Sequence, residues 1–317
     1  MSKGGSVFML LGNFVLLDPY CDVPNILENN QAKKTIVEIG FGNGEFLAFL
    51  AKKYQDSVCF GIEVSKKCIQ KASKRLVGYE QRVFLMLGDA KFLLRECFPD
   101  ESIDHIYMNF PCPWPKTKHE KRRVTSGGFP KVLASVLKTG GVFEVVTDDE
   151  NYALEIEDIF SNYSTFDCLC HNLNEPREIS TKYERKWKEE GKVIHTLRFV
   201  KTKKDTLIRM TEEGNDVHAI VKLDNLTRES FDKIRGVKGA RDASRWCFGD
   251  CYESENRILL LEVVVSDEDF HQQIYFRLVP RKEDWLIKVD PAVKAFATPA
   301  VKGALEHLRR FLEENGG

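Results

Sequence analysis

The sequence predicts an α/β fold, a parallel sheet with helices on both faces, followed by a smaller α+β domain. Three observations carry this. Between residues 35 and 201 short β-branched runs alternate with stretches of helical apolar spacing. Beyond residue 201 that alternation stops. The chain has 317 residues, 43% of them hydrophobic, which is enough for two cores. Strands that alternate with helices are joined by crossovers, and crossovers cover both faces of a parallel sheet.

In order, residues 35–39, 58–62, 82–87, 103–109 and 141–147 read as strands. Residues 45–54, 66–78, 91–97, 129–138 and 151–162 read as helices, with Phe46, Leu47, Phe49 and Leu50 showing the spacing. A charged helix begins near Thr181, and a strand at 195–201 closes the domain. Strand-like runs then follow at 206–210, 217–223, 245–252, 257–265, 272–279 and 285–289, without long helices between them. A last helix is capped by Thr298, takes Pro299 in its first turn, and buries Val301, Ala304, Leu305, Leu308, Phe311 and Leu312. The expected division is an N-terminal arm at 1–34, a catalytic-type domain at 35–201, and an α+β domain at 202–317 whose role the sequence does not reveal.

Charge and cysteine usage narrow the function. Lys and Arg number 47 against 48 Asp and Glu, so the chain is not a basic nucleic-acid coat, and any RNA-binding charge is local. The nine cysteines contain no C-x-x-C pair; Cys168-Leu169-Cys170-His171 and Cys247 with Cys251 fit no zinc pattern. We expect free thiols, no metal and a cytoplasmic setting. The apolar stretch 6–17 is too short to span a bilayer and lacks a cleavage pattern, so an N-terminal strand or arm is expected, with no membrane partner.

The first chemical motif is Glu38-Ile39-Gly40-Phe41-Gly42-Asn43-Gly44, between the first strand and the first helix. Glycines there let the backbone approach a ligand at the carboxyl edge of the sheet; a turn that binds nothing is the plain alternative. The next strand ends on Glu63, which can accept from ribose hydroxyls, and the third is followed by Gly88-Asp89, which can meet an adenine amino group. The loop is not the G-x-G-x-x-G that seats a pyrophosphate. A carboxylate beside it suits a cationic cofactor with an amino-acid tail, so S-adenosylmethionine fits and NAD does not.

The second motif runs from Asn109 through Phe110-Pro111-Cys112-Pro113-Trp114-Pro115-Lys116 to Lys118, His119, Lys121, Arg122 and Arg123. Three prolines stiffen it, and five cations then meet one Glu. A solvated charge run would explain the cations alone, but their position after a stiff turn at the sheet edge fits phosphate binding. A further cluster, Thr181-Lys182-Tyr183-Glu184 with Arg185, Lys186, Trp187 and Lys188, is either an exposed helix or part of the same surface.

Together the glycine loop, Gly61-Ile62-Glu63-Val64, the proline–tryptophan–basic run, Val146-Thr147-Asp148 and Thr181-Lys182-Tyr183-Glu184 resemble the bacterial single-subunit tRNA (guanine-N7)-methyltransferases, over about residues 35–201. The resemblance implies a Rossmann-like class I S-adenosylmethionine methyltransferase sheet, acting as a monomer or homodimer on guanosine 46 of the tRNA variable loop. It implies that Glu38, Gly40, Gly42, Gly44, Glu63, Asp89 and Asn109 bind the cofactor. Lys116, Asp148, Thr181, Lys182, Tyr183 and Glu184 then meet the tRNA, with His119 and Arg122 supporting catalysis. The chain departs from the family at Cys112, where the family has a central Asp. Cysteine is a weak hydrogen-bonding group, which leaves open a tRNA-binding subunit without catalysis; a methyltransferase for a non-RNA substrate is the other alternative.

Overall fold

The computed structural model describes residues 10–11, 14–15, 19–30, 33–114, 123–211, 217–223, 225–268, 270–293 and 295–315. The chain divides into two compact units, Met1–Ile208 and Arg209–Gly317.

The first unit opens with a short hairpin, β1 (Leu10–Leu11) and β2 (Phe14–Val15), and helix α1 (Pro19–Asn29). Then β3 (Lys34–Ile39), β4 (Ser57–Glu63), β5 (Val83–Leu87), β6 (Ile103–Asn109) and β7 (Leu137–Thr147) alternate with α2 (Glu45–Lys53), α3 (Lys66–Arg75), α4 (Ala90–Cys97), α5 (Phe129–Val136) and α6 (Glu150–Ser161). The unit ends with β8 (Phe166–Leu173), α7 (Lys182–Glu189) and β9 (His195–Lys201). The strand order is β5-β4-β3-β6-β7-β9-β8, with β3 to β7 parallel and β9 antiparallel to both its neighbours. The order reverses between β3 and β6, and a crevice forms at the carboxyl ends of strands at such a reversal. This is the Rossmann-like class I methyltransferase arrangement expected from the sequence.

Each face of the sheet is filled by the residues that alternate toward it. Ile36, Cys59 and Leu85 pack under Phe46, Leu47 and Leu50 of α2 and Ile69 and Ala72 of α3. On the other face, four rings lock α5 and α6 to β7 and β9: Phe143 lies 5.9 Å from Phe129, 5.0 Å from Phe160 and 6.3 Å from Phe199. Helix α5 stops at Val136, two residues short of the expected Lys138. The backbone N–H groups of Glu101 and Ser102 take the carbonyls of Ser135 and Val136 at 2.9 Å, and the chain turns directly into β7. The sequence reading missed β8, an edge strand with mostly exposed side chains, and α1, which carries Pro24.

The second unit is an antiparallel sheet of order β10-β15-β14-β13-β12-β11 with, among the described residues, one α-helix and a 3-10 turn at Arg228–Phe231. Its elements are β10 (His218–Val221), β11 (Lys238–Arg241), β12 (Ser244–Glu253), β13 (Leu259–Asp267), β14 (Phe270–Pro280), β15 (Trp285–Val289) and α8 (Pro299–Asn315). The expected strand at 206–210 is absent; Ile208 there is 85% exposed and has no apolar face to join. Strand β11 was missed because Lys-Gly-Ala-Arg carries no apolar alternation. Helix α8 buries the expected stripe except for half-buried Phe311. Its cap differs from expectation. The Thr298 hydroxyl accepts from Gln272, and Asp267 at the end of β13 accepts from the Ala300 N–H at 2.9 Å, a cap supplied across the fold.

Phe143→Ala removes the ring at the centre of the four-ring cluster and is expected to cost about 3–5 kcal/mol. Denaturant unfolding of the first unit's transition measures it; a loss below about 1 kcal/mol would show that the cluster does not hold α5 and α6 on the sheet.

Candidate active site

The ends of β3 to β7 and the start of β9 meet at one edge of the sheet, and the expected cofactor residues gather there. Gly40, Gly42 and Gly44 all have positive φ, at 69°, 56° and 75°. At Gly44, which caps α2, a side chain would also strike the Ala72 Cβ at 2.8 Å. At Gly40 and Gly42 an added Cβ would meet nothing within 4 Å, so the loop faces open space. Glu63 holds the loop in shape: its carboxylate accepts from the N–H groups of Gly42 at 3.0 Å, Val64 at 2.9 Å and Ser65 at 3.0 Å. Asp89 caps α4 through one oxygen, from the Phe92 N–H at 2.9 Å.

Glu38 is the anomaly of this edge. It is 2% exposed, Oε2 has no partner, and Oε1 accepts one long bond of 3.4 Å from Asn109 Nδ2. Burial raises its pKa to about 8, against the lowering effect of Asn109 and Arg177. An orphaned, fully buried carboxyl behind an open glycine loop fits a cationic ligand that would bring the missing partner.

From Asn109 a chain of charge-assisted bonds runs away from the loop. Asn109 Oδ1 accepts from Arg177 at 2.7 Å, and Arg177 donates to Glu184 at 3.0 Å. Glu184 is completely buried, and its other oxygen takes Lys188 at 2.6 Å. The Thr-x-x-Glu pattern at 181–184 has the form of a capping box. Thr181 does cap α7, accepting from the Glu184 N–H at 3.3 Å, but the Glu184 side chain turns inward to the two cations. Glu45 secures the helix start, accepting from the Lys182 N–H and from Arg185, both at 3.0 Å. Tyr183 is 57% exposed.

Of the proline–basic run, residues 115–122, including Lys116, Lys118, His119, Lys121 and Arg122, lie outside the described residues. The described start of the loop is strained. Phe110 and Trp114 adopt φ of 51° and 42°, a region that costs side-chain-bearing residues about 1–2 kcal/mol. Cys112 is exposed. Arg123 corrects one expectation. It does not present its charge to a phosphate path but folds back on the loop, donating to the carbonyls of Pro113 at 2.6 Å and Trp114 at 3.4 Å and pairing with Glu155 over the Tyr152 ring. Asp148 follows β7 at the same edge. Capping of α6 falls to Asp149, which accepts from the Tyr152 N–H at 2.9 Å, and Asp148 pairs with Lys192 at 2.5 Å.

Comparison with known proteins places this edge in a family. Residues 32–197 match the family model described as "Putative methyltransferase". The chain is 38% identical to the tRNA (guanine-N(7)-)-methyltransferase of Thermotoga maritima, over 89% of this chain and 90% of that one. It is 35% identical to the enzyme of the same name from Thermus thermophilus, over 89% of each chain. The chain belongs to the bacterial tRNA (guanine-N7)-methyltransferase family. The Nitrosococcus oceani member is 34% identical over only 54% of this chain.

Sequence reasoning missed two cations of this edge, Arg177 and Lys192, whereas Lys188 falls in the charged cluster read from the sequence and pairs with Glu184 four residues before it. Arg177 stands in Glu-Pro-Arg-Glu with no periodicity or motif around it, and only the burial of its partners reveals it. Among the described residues no cluster of His, Cys, Asp or Glu could hold a metal ion, and no helix is long and apolar enough to cross a membrane.

Glu184→Ala is expected to destabilise the first unit by about 3 kcal/mol, because it takes the nearest carboxylate from buried Arg177 and leaves it Glu144 at 4.0 Å. Denaturant melts measure the loss, and a change under about 1 kcal/mol would show that the pair is solvated.

Proposed function

We propose that the protein transfers the methyl group of S-adenosylmethionine to N7 of a guanosine in tRNA, at position 46 of the variable loop. The observation that carries it is the orphaned Glu38 carboxyl behind the open glycine loop, at the same sheet edge as Asp148 and residues 109–114, in a chain of this family. S-adenosylmethionine would supply an electrophilic methyl on a sulfonium. Glu38 would receive the amino end of its methionine tail, with the Gly40 and Gly42 backbone alongside. The second oxygen of Asp89 would meet the adenine amino group. Glu63, already braced by three N–H donors, would use its remaining lone pairs on the ribose.

N7 of guanine carries an in-plane lone pair and no proton, so its attack needs no general base. What the protein must supply is alignment and a pocket for a base turned out of its stack. Asp148 is the residue suited to read that base. The guanine edge opposite N7 offers only donors, N1–H and the N2 amino group, and a carboxylate only accepts. Adenine would instead set its N1 acceptor against that carboxylate, a larger loss than one hydrogen bond. Glu184, with both oxygens on cations, supports this edge from behind by fixing α7. Lys116, His119 and Arg122 are assigned to the tRNA backbone and the catalytic loop from the sequence. Cys112, standing where the family has Asp, is positional and not nucleophilic, because N7 attack forms no covalent enzyme intermediate.

Incubation with labelled S-adenosylmethionine and bulk unmodified tRNA, followed by nucleoside analysis, tests the reading. The expected label is in N7-methylguanosine, Cys112→Ala retains measurable transfer, and Asp148→Asn loses about 10–1000-fold in kcat/KM. Label in another nucleoside, or in protein, would overturn it.

A pH dependence follows from Glu38. Its ionised form is the one that pairs with a cation, and burial raises its pKa to about 8. Affinity for S-adenosylhomocysteine is therefore expected to rise as pH increases toward about 8, by up to about tenfold per unit, with a proton released on binding. Calorimetry in buffers of different ionisation enthalpy reads that proton. Flat affinity with no proton release would remove Glu38 from the cofactor site.

A further inference from the structure

Arg177 lies between β8 and α7, outside every motif above. Its side chain is 8% exposed, and its guanidinium serves four elements, one of them β7 through Glu144 at 4.0 Å. It donates to Asn109 at the end of β6, at 2.7 Å, and to Glu184 in α7, at 3.0 Å, and it sits 5.2 Å from the Phe46 ring of α2. An amide has one accepting and one donating end, and a guanidinium only donates. Arg177 therefore decides which way round Asn109 stands. With Oδ1 held by Arg177, Nδ2 is turned toward Glu38.

We propose that Arg177 is a positioning residue that ties the cofactor-side carboxylate Glu38, through Asn109, to the substrate-side helix α7, through Glu184, so that filling one side orders the other. The proposal deepens the function proposed above and rests on it for the naming of the two sides. A lysine cannot do the same work: its single ammonium lacks the planar fork that spans two acceptors in fixed directions. The chain also ends where substrate is expected. Lys188 closes it on α7, whose first N–H groups and Thr181 are held at the site by Glu45 and the Thr181 cap.

The groups that face Glu38 make the tie readable. Glu63 and Cys59 approach it from β4, Asn109 from β6, and Arg177 from the segment before α7. Burial and Glu63 favour its protonated form, whereas Asn109 and Arg177 favour the ionised one. Loss of Arg177 must therefore move the ionisation of Glu38 to higher pH, which a merely structural arginine elsewhere would not do.

The test compares wild type, Arg177→Met and Arg177→Lys. Three quantities are read: the pH midpoint of S-adenosylhomocysteine binding, the effect of that analogue on tRNA affinity, and kcat with KM. In wild type the analogue is expected to tighten tRNA binding about fivefold or more. Arg177→Met is expected to move the pH midpoint upward and abolish that tightening, with kcat down about tenfold or more and KM little changed. Arg177→Lys keeps the charge, so its midpoint stays near wild type, but it too loses the tightening and most of kcat. A folded Arg177→Met with wild-type midpoint and tightening overturns the proposal. If Arg177→Met does not fold, Arg177→Lys decides, and full tightening with full kcat overturns it. A wild type that makes no N7-methylguanosine counts against the proposed function alone, because the midpoint of analogue binding still reads the tie between Arg177 and Glu38.

Discussion

Two carboxyl groups, Glu38 and Glu184, lie almost wholly out of solvent at the working edge of the first unit, and a buried carboxyl has to be dealt with. The chain deals with them in opposite ways. Glu38 keeps its proton, held by burial up to about 8. Glu184 is given two cations, Arg177 and Lys188. Asn109 stands between the two solutions, because its two ends can satisfy a carboxyl on one side and a guanidinium on the other. Much of the local architecture follows from this arrangement. Helix α7 must return to the sheet edge to deliver Glu184, and β9 must then run back between β7 and β8, antiparallel to both.

The glycine loop and the loop after β6 meet the same edge with different mechanics. At Gly40 and Gly42 positive φ comes without steric cost and leaves open space for a ligand. At Phe110 and Trp114 the same region is occupied by bulky residues and has to be held there. The bond from the Phe110 N–H to the Val146 carbonyl at 2.7 Å holds the first, and the Arg123 fold-back onto Pro113 and Trp114 holds the second. Cys112 lies between these two strained points. A loop pinned at both ends fixes its middle by shape, which is how a side chain with little hydrogen-bonding capacity can stand at that position.

The sheet of the first unit was legible because its central strands are buried on both faces and its helices carry one apolar stripe, so β6 and the antiparallel β9 were located to the residue. What stayed hidden has a common cause. Strand β8 is an edge with exposed side chains, β11 is four polar or small residues, and α1 begins and continues through prolines. None of these leaves a periodic apolar signal. In the candidate site the acids were legible, and of their cations Arg177 and Lys192 were not. Glu38, Glu63, Asp89 and Asp148 fall in motifs tied to strand ends and Glu184 in the motif that starts α7, with Lys188 one helical turn on, whereas Arg177 and Lys192 are chosen by proximity in space. Arg123 shows the reverse case: inside a run of cations it reads as a phosphate ligand, and only its bonds to two carbonyls and Glu155 reveal a brace.

One buried polar chain, Glu38–Asn109–Arg177–Glu184, joins the glycine loop's edge to α7. Amide hydrogen exchange measures it directly, with S-adenosylhomocysteine added to the full-length protein in the absence of tRNA. Slower exchange is expected in two places, the glycine loop at 40–44 and the amides of α7 at 182–189, the second because Glu38 pulls on Asn109 and Arg177 once its partner arrives. Protection confined to the loop, with α7 exchanging as before, would contradict it.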